Sequence, residues 1–270
     1  MPRVSIGEVN LYYEELGKGE PLVLIPGFAA GLWIWFRQIS PLANHFRVIS
    51  FDPRGVAQSD SLGGKPSIRT LADDVAGLLK AIGVSSAHIL GASFGGFVAQ
   101  EFALAYPEAT RSLILCCTSF GGRGHVSPSA DTLRALTSTR ELDSEDRLRR
   151  SLILAFSPQF VSRRFEELQK VIDLRAANAV PEEAYLAQLQ AALQFDAESR
   201  VSKIQSPTLV VSGDADVIVP VENSRNLATK LNASLKIVAG GSHTFFIEQP
   251  DEFNNIVTDF IHSQSPQLKD

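Results

Sequence analysis

"LGASFGG", Leu90 to Gly96, grows out of the apolar run "AHIL" (87–90), and a single serine stands there among glycines and an alanine. Gly91-Ala92-Ser93-Phe94-Gly95 fits the pattern Gly-x-Ser-x-Gly. A sharp strand-to-helix turn holds such a serine in a strained backbone conformation, and the glycines two residues away on either side avoid collision. The hydroxyl then projects above the sheet, beside the positive end of the following helix. This placement predicts Ser93 as a nucleophile.

Working outward, short apolar runs recur: "LVLI" (22–25), "RVISF" (47–51), "AHIL", "SLILCC" (112–117), "TLVVSG" (208–213) and "LKIVA" (235–239). Apolar runs without alternation suit strands covered on both faces. Helical patterns lie between them. In "SIRTLADDVAGLLKAIG", Leu71, Val75, Leu78, Leu79 and Ile82 share one stripe, Ser67 is the expected cap and Gly83 the stop. "FGGFVAQEFALAYP" follows Ser93 and ends before Pro107. Alternating strands and helices predict an α/β fold with a mostly parallel central sheet and helices on both faces. The first stretch, "RVSIGEVNLYYEELG", predicts an antiparallel hairpin leading in.

Between Gly121 and Arg200 no strand pattern occurs. Helical stretches are expected near 144–155, 159–177 and 181–195, with Pro158 and Pro181 at their starts. The expected organisation is a core of residues 1–120 and 201–270 with a helical cap, 121–200, inserted over the sheet's edge. The cap carries Arg147, Arg149, Arg150, Arg163, Arg164 and Arg175. Glu145–Arg149 and Asp146–Arg150 are spaced i,i+4 with the acid first, which suits a solvated face. One arginine facing a substrate carboxylate is the alternative. The tail "HSQSPQLKD" is polar and is expected to fray.

A serine hydroxyl needs a base to take its proton. Of five histidines, His88 lies in a strand run, His45 in a polar link, His125 at the start of the cap and His262 in the tail. His243 sits in "GGSHTFFIEQP", a glycine-rich loop after the last strand, which can reach back over the sheet's carboxyl ends. It is the expected base. The base needs an acid to hold its tautomer, and "VVSGDADVIVP" offers Asp214 and Asp216. Asp214 follows Gly213 directly, as a turn former does; Asp216 is better placed to leave the turn, and is the expected acid.

With these residues placed, the chain resembles the α/β-hydrolase superfamily over nearly its full length. "GASFGG" resembles its nucleophile elbow, "GDADVIVP" its acid loop and "GSHTFFIEQP" its histidine loop, in the order Ser, Asp, His. "LIPGFAAGLWIW" is similar to the oxyanion loop, so the resemblance implies backbone N–H donors from Phe28 and Phe94. "FDPRGVAQSD" resembles a further superfamily segment, in which Asp52, Arg54 and Ser59 would organise loops. Two positions depart from the pattern: Pro26-Gly27 stands where His-Gly is common, and Ala57 where glycine is common. The finer resemblance is to 3-oxoadipate enol-lactonases and related carboxylesterases. It implies hydrolysis of an ester or lactone of a small substrate through an acyl-enzyme. Carbon–carbon hydrolases of ring-fission products, cofactor-free haloperoxidases (perhydrolases) and ligand receptors on a hydrolase scaffold share these features. Perhydrolases often place methionine after the serine, where this chain has Phe94.

The bulk numbers limit the partners. A net charge of −5 over 270 residues gives no reason to expect a nucleic-acid partner, since domains that bind one usually carry a basic patch. No signal-peptide pattern and no apolar run of spanning length occurs, so a cytoplasmic protein is expected. Cys116 and Cys117 are adjacent in a strand run and point to opposite faces, so two buried, reduced thiols are expected. The histidines are scattered and no dinucleotide fingerprint occurs, so neither metal nor cofactor is expected. Phe28, Trp33, Trp35, Phe36 and Phe94 cluster near the proposed oxyanion loop and predict an apolar pocket, although any one aromatic at such spacing is more often core than ligand contact.

Overall fold

Apolar residues on both faces of a strand require a layer of helices on each side, and the chain supplies them. The computed structural model describes residues 2–61, 64–137 and 152–264. Its strands are β1 (Arg3–Ser5), β2 (Asn10–Leu16), β3 (Pro21–Ile25), β4 (Arg47–Phe51), β5 (Ala87–Ala92), β6 (Thr110–Cys116), β7 (Thr208–Gly213) and β8 (Ser234–Val238). They form one eight-stranded sheet in the order β1-β2-β4-β3-β5-β6-β7-β8. The hairpin β1–β2 is antiparallel, as is β2 against β4; every later pairing is parallel. This is an α/β-hydrolase fold.

The two-residue period of a strand divides the core. Val23 and Ile25 join one buried cluster, with Ile89, Leu113 and Leu115 beside them; Leu22 and Leu24 join the other, with Leu90, Ile114 and Val211. Over the first face pack α1 (Ile68–Ala81) and α2 (Phe94–Ala105), through Leu71, Val75, Leu78, Val98 and Phe102. The capping box that starts α1 is complete: Ser67 Oγ accepts from Thr70 N, and Thr70 Oγ1 accepts from Ser67 N.

Between β6 and β7 run α3 (Ala130–Thr137), α4 (Pro158–Arg163), α5 (Phe165–Ala177) and α6 (Glu182–Gln194). The expected helix over 159–177 is thus two helices. Arg164 leaves the helical region (φ −123°, ψ 44°), and the break lets Phe160 of α4 and Leu168, Val171 and Ile172 of α5 all turn inward. Ser157 caps α4 with Pro158 at its first position. The Glu145–Arg149 and Asp146–Arg150 pairs, with Arg147, lie outside the described residues. An isolated antiparallel bridge, Gly121 to Asp196, ties the two ends of this excursion together.

After β7 come α7 (Val221–Leu231) and α8 (Pro250–Gln264), which places Phe253, Val257 and Ile261 on the second face. His262 is therefore helical rather than frayed, and its ring lies 5.6 Å from that of His45. Cys116 ends β6; Cys117 lies just past it with φ 41°, and both are buried free thiols. Among the described residues no helix is long and apolar enough to cross a membrane.

Candidate active site

Ser93 sits between β5 and α2 with φ 53° and ψ −118°, a conformation that L-residues rarely adopt. The surroundings enforce it. Ser93 N–H donates to Cys116 O at 2.8 Å, and the Ser93 carbonyl accepts from Thr118 Oγ1 at 2.8 Å and Gly96 N at 2.9 Å. A Cβ on Gly91 would come within 2.3 Å of Gly95 O, and one on Gly95 within 2.3 Å of Ile25 O. Both glycines of the pattern are thus required by contact between backbones.

The acid and histidine loops are joined in the same manner. A Cβ on Gly213 would lie 2.0 Å from Gly241 O, and Ala215 N–H donates to that same oxygen. Asp214, exposed, accepts from Gly240 N at 2.7 Å and so holds the loop rather than His243. Asp216 has a fully buried side chain. Its Oδ1 accepts from Ile218 N at 2.8 Å and Val219 N at 2.9 Å, and its Oδ2 accepts from His243 Nδ1 at 2.8 Å. The carboxylate thereby keeps the ring proton on Nδ1. The lone pair of Nε2 is left facing Ser93 Oγ, 3.1 Å away. Three segments distant in sequence thus meet in one hydrogen-bonded relay.

Phe28 and Phe94 flank the serine. A Cβ on Gly27 would sit 3.7 Å from Ser93 Cβ, so the loop lies against Ser93, and the Phe28 and Phe94 rings meet edge to face at 6.1 Å. Among the described residues neither backbone N–H has a hydrogen-bond partner. Trp35 is core, packed on Phe246 at 5.1 Å, and Phe36 lies under Lys170 rather than beside Ser93. Asp52 anchors the loop's far end by accepting from Leu32 N at 2.9 Å, and burial raises its pKa. Arg54 pairs with Asp74, Ser59 Oγ donates to Asp52 O, and Ala57 adopts φ 44° where a glycine would be unstrained. Beneath the relay, burial first and the charge of Asp216 second push the Cys117 thiol well above its usual range, so it stays protonated.

Residues 20–250 match the family model described as the alpha/beta hydrolase fold. The chain belongs to this family. It is 30% identical, over 96% of its length and 98% of the relative's, to "Putative carbamate hydrolase RutD" of Azorhizobium caulinodans. Its fold is similar to that of an enol-lactonase from Burkholderia xenovorans LB400 (TM-score 0.85, 25% identity, 97% of this chain and 100% of that one). It is likewise similar to a thermophilic esterase from Thermogutta terrifontis (TM-score 0.84, 25% identity, 97% and 98%).

In this hydrolase the segment between β6 and β7 touches the site at two places that the sequence did not announce. From α6, Tyr185 packs on the Phe28 ring at 4.8 Å, and Gln188 Oε1 accepts the Ala29 N–H at 2.7 Å. At the other side, Glu248 Oε1 accepts from Ser157 N and from Ser242 Oγ, both at 2.6 Å, while Thr244 donates to Ala155 O through its N–H and its hydroxyl. His243 is therefore flanked by two residues bound into this network. The available signal for Gln188 was an amide on the otherwise small-residue stripe Ala184, Ala187, Ala191, one turn from Tyr185. Of the other arginines described in this segment, Arg163 is exposed and Arg164 pairs with Glu167 at 3.0 Å.

Proposed function

We propose that the chain is a serine hydrolase cleaving a carboxylic ester or lactone of a small substrate. Ser93 Oγ attacks the substrate carbonyl as its proton passes to His243 Nε2; Asp216 stabilises the imidazolium. The oxyanion forms against the N–H groups of Phe28 and Phe94, and a donor so placed contributes about 3–4 kcal/mol. His243 then protonates the leaving alcohol. Water, deprotonated by the same nitrogen, releases the acyl group. Residues 121–200 serve as a cap over a core of 1–120 and 201–270. The observation that carries this reading is the 3.1 Å approach of His243 Nε2 to a serine held in a strained turn. The enol-lactonase and esterase folds support it.

A chain-length series of p-nitrophenyl esters tests it. Short acyl chains are hydrolysed by the wild type; Ser93→Ala abolishes turnover, and a fluorophosphonate labels Ser93 alone. Hydrolysis undiminished in Ser93→Ala overturns the assignment. A carbamate is the second reading, supported by the 30% identical relative named for that activity. The attack is the same, and amine release from an alkyl carbamate, compared with alcohol release from the matching ester, separates the two.

A further inference from the structure

Ala29 follows Phe28, the proposed oxyanion donor; it is fully buried and has φ 49°. Glycine adopts that region freely, whereas a Cβ is strained there. Ala30 N donates to Gly27 O at 3.3 Å and closes a turn with Phe28 and Ala29 as its central residues. The φ angle is positive at Ala29 and not at Phe28. That is the sign pattern of a type II turn, whose second central residue is ordinarily glycine. The type I turn, which alanine suits, differs by rotation of the peptide between the two central residues. Local preference therefore favours one turn, and the folded chain holds the other.

What holds it comes from α6. Gln188, 1% exposed, accepts the Ala29 N–H through Oε1 at 2.7 Å. That N–H belongs to the very peptide whose rotation separates the two turns. Tyr185, three residues earlier on the same face of α6, lays its ring on Phe28 at 4.8 Å. The helix is tied down just past its end: Phe195 stacks on Phe97 of α2 at 4.5 Å, and Ala197 N donates to Phe120 O at 2.8 Å. The other residues that α6 buries are Ala184, Ala187 and Ala191, small enough for a close approach. Gln188 is the one polar member of that stripe, and its oxygen is committed to Ala29.

We propose that Gln188 is a positioning residue for the oxyanion hole: by holding Ala29 in the left-handed region, α6 fixes the turn that aims the Phe28 N–H at the reacting centre. This rests on the serine hydrolase reading and adds that the segment between β6 and β7 completes the hole as well as covering it. The loop is anchored on both sides of the turn. Gly27 lies against Ala92 and Ser93, and Leu32 N is bound by Asp52. Relaxation of Ala29 is therefore taken up between those anchors, at Phe28, whose Cα joins the rotating peptide to the one that bears the donor. A hydrogen bond to an oxyanion weakens steeply once its donor turns aside.

The test uses p-nitrophenyl butyrate with Gln188→Met, which keeps the length of the side chain and removes the acceptor. A fall in kcat of about tenfold or more is expected, with KM changed less than threefold, because the hole acts on the transition state and not on the bound ester. On an Ala29→Gly background the same substitution should cost less than threefold in kcat, since glycine keeps the turn unaided. Thermal melting by circular dichroism checks that each variant is folded. Gln188→Asn, whose shorter side chain falls short of Ala29, stands in if Gln188→Met is not. A smaller fall in kcat, a loss confined to KM, or equal losses on the two backgrounds overturns the proposal. The crystal structure of Gln188→Met decides the turn without any substrate: a negative φ at Ala29 is expected, and a positive φ with Phe28 unmoved overturns the proposal. If wild type cleaves no ester, the hydrolase reading fails separately, and that crystal structure still decides whether Gln188 holds the turn.

Discussion

Around Ser93 the tightest approaches are backbone against backbone, whereas the segment between β6 and β7 meets the site largely through side chains. Gly91 lies on Gly95, Gly95 on Ile25 and Gly213 on Gly241, with no room for a methyl group. Above them, the contacts are Tyr185 on Phe28, Phe195 stacked on Phe97 at 4.5 Å, Gln188 on Ala29, and Arg37 with Glu167. Contacts of the first kind cannot be tuned by substitution, because any side chain at all displaces two segments. Those of the second kind change with each residue. Such a division fixes the geometry of the relay and leaves the fit to the substrate adjustable.

The largest expected effect lies on the fixed side. Asp216→Asn keeps the shape but offers an amide donor to Nδ1, turning the ring to the tautomer whose Nε2 carries hydrogen and cannot take the Ser93 proton. A fall in kcat of about 10⁴-fold is expected. A loss under tenfold, with the fold intact, would show that this carboxylate does not set the tautomer. Next, Gly95→Ala forces a methyl group onto the carbonyls of Ile25 and Pro26. It should cost about 3 kcal/mol, seen as a Tm lowered by about 6 °C or more. An unchanged Tm would mean the turn can relax.

This same division explains what was legible in the sequence. Strands buried on both faces are unbroken apolar runs, and β4 and β7 coincide with "RVISF" and "TLVVSG". Backbone contacts demand glycine, so Gly91, Gly95 and Gly213 marked the turns that bring Ser93, Asp216 and His243 together. Side-chain contacts across long separations leave no such mark. Nothing in the composition of α6 says that Gln188 meets a loop 159 residues earlier, or that Glu248 accepts from Ser157, 91 residues earlier. The break at Arg164 was hidden for a related reason: the apolar spacing continues through it, and tertiary packing alone divides the helix.

A smaller effect tests the junction on the histidine side. Glu248→Ala leaves Ser157 N–H and Ser242 Oγ without their acceptor, at a cost of about 1–3 kcal/mol in stability. The loop bearing His243 is then held less firmly, and kcat/KM for a short ester should fall about tenfold, the equivalent of about 1.4 kcal/mol in the barrier. Glu248→Gln retains an accepting oxygen and should recover most of both. Equal losses in the two variants would instead make the charge, not the acceptor, the relevant property.

The smallest effect lies at the opposite end of the strand that delivers Ser93. His88, five residues before it, is buried, with Nδ1 2.8 Å from Ser112 Oγ and Nε2 3.7 Å from Glu20. Burial is the main cause that lowers its pKa; Glu20 opposes the shift and Arg111 reinforces it. The folded protein therefore holds this ring neutral to a lower pH than the unfolded chain, whose histidine titrates near about 6.5. As pH falls below that value the unfolded state binds a proton first. The stabilisation present above it is lost progressively toward the folded-state pKa. His88→Gln removes the titration and should flatten the decline of Tm between pH 7 and pH 5, at some constant cost from the altered contact with Ser112. A slope identical to wild type would move the acid sensitivity away from the sheet's base and toward the loops at its other end.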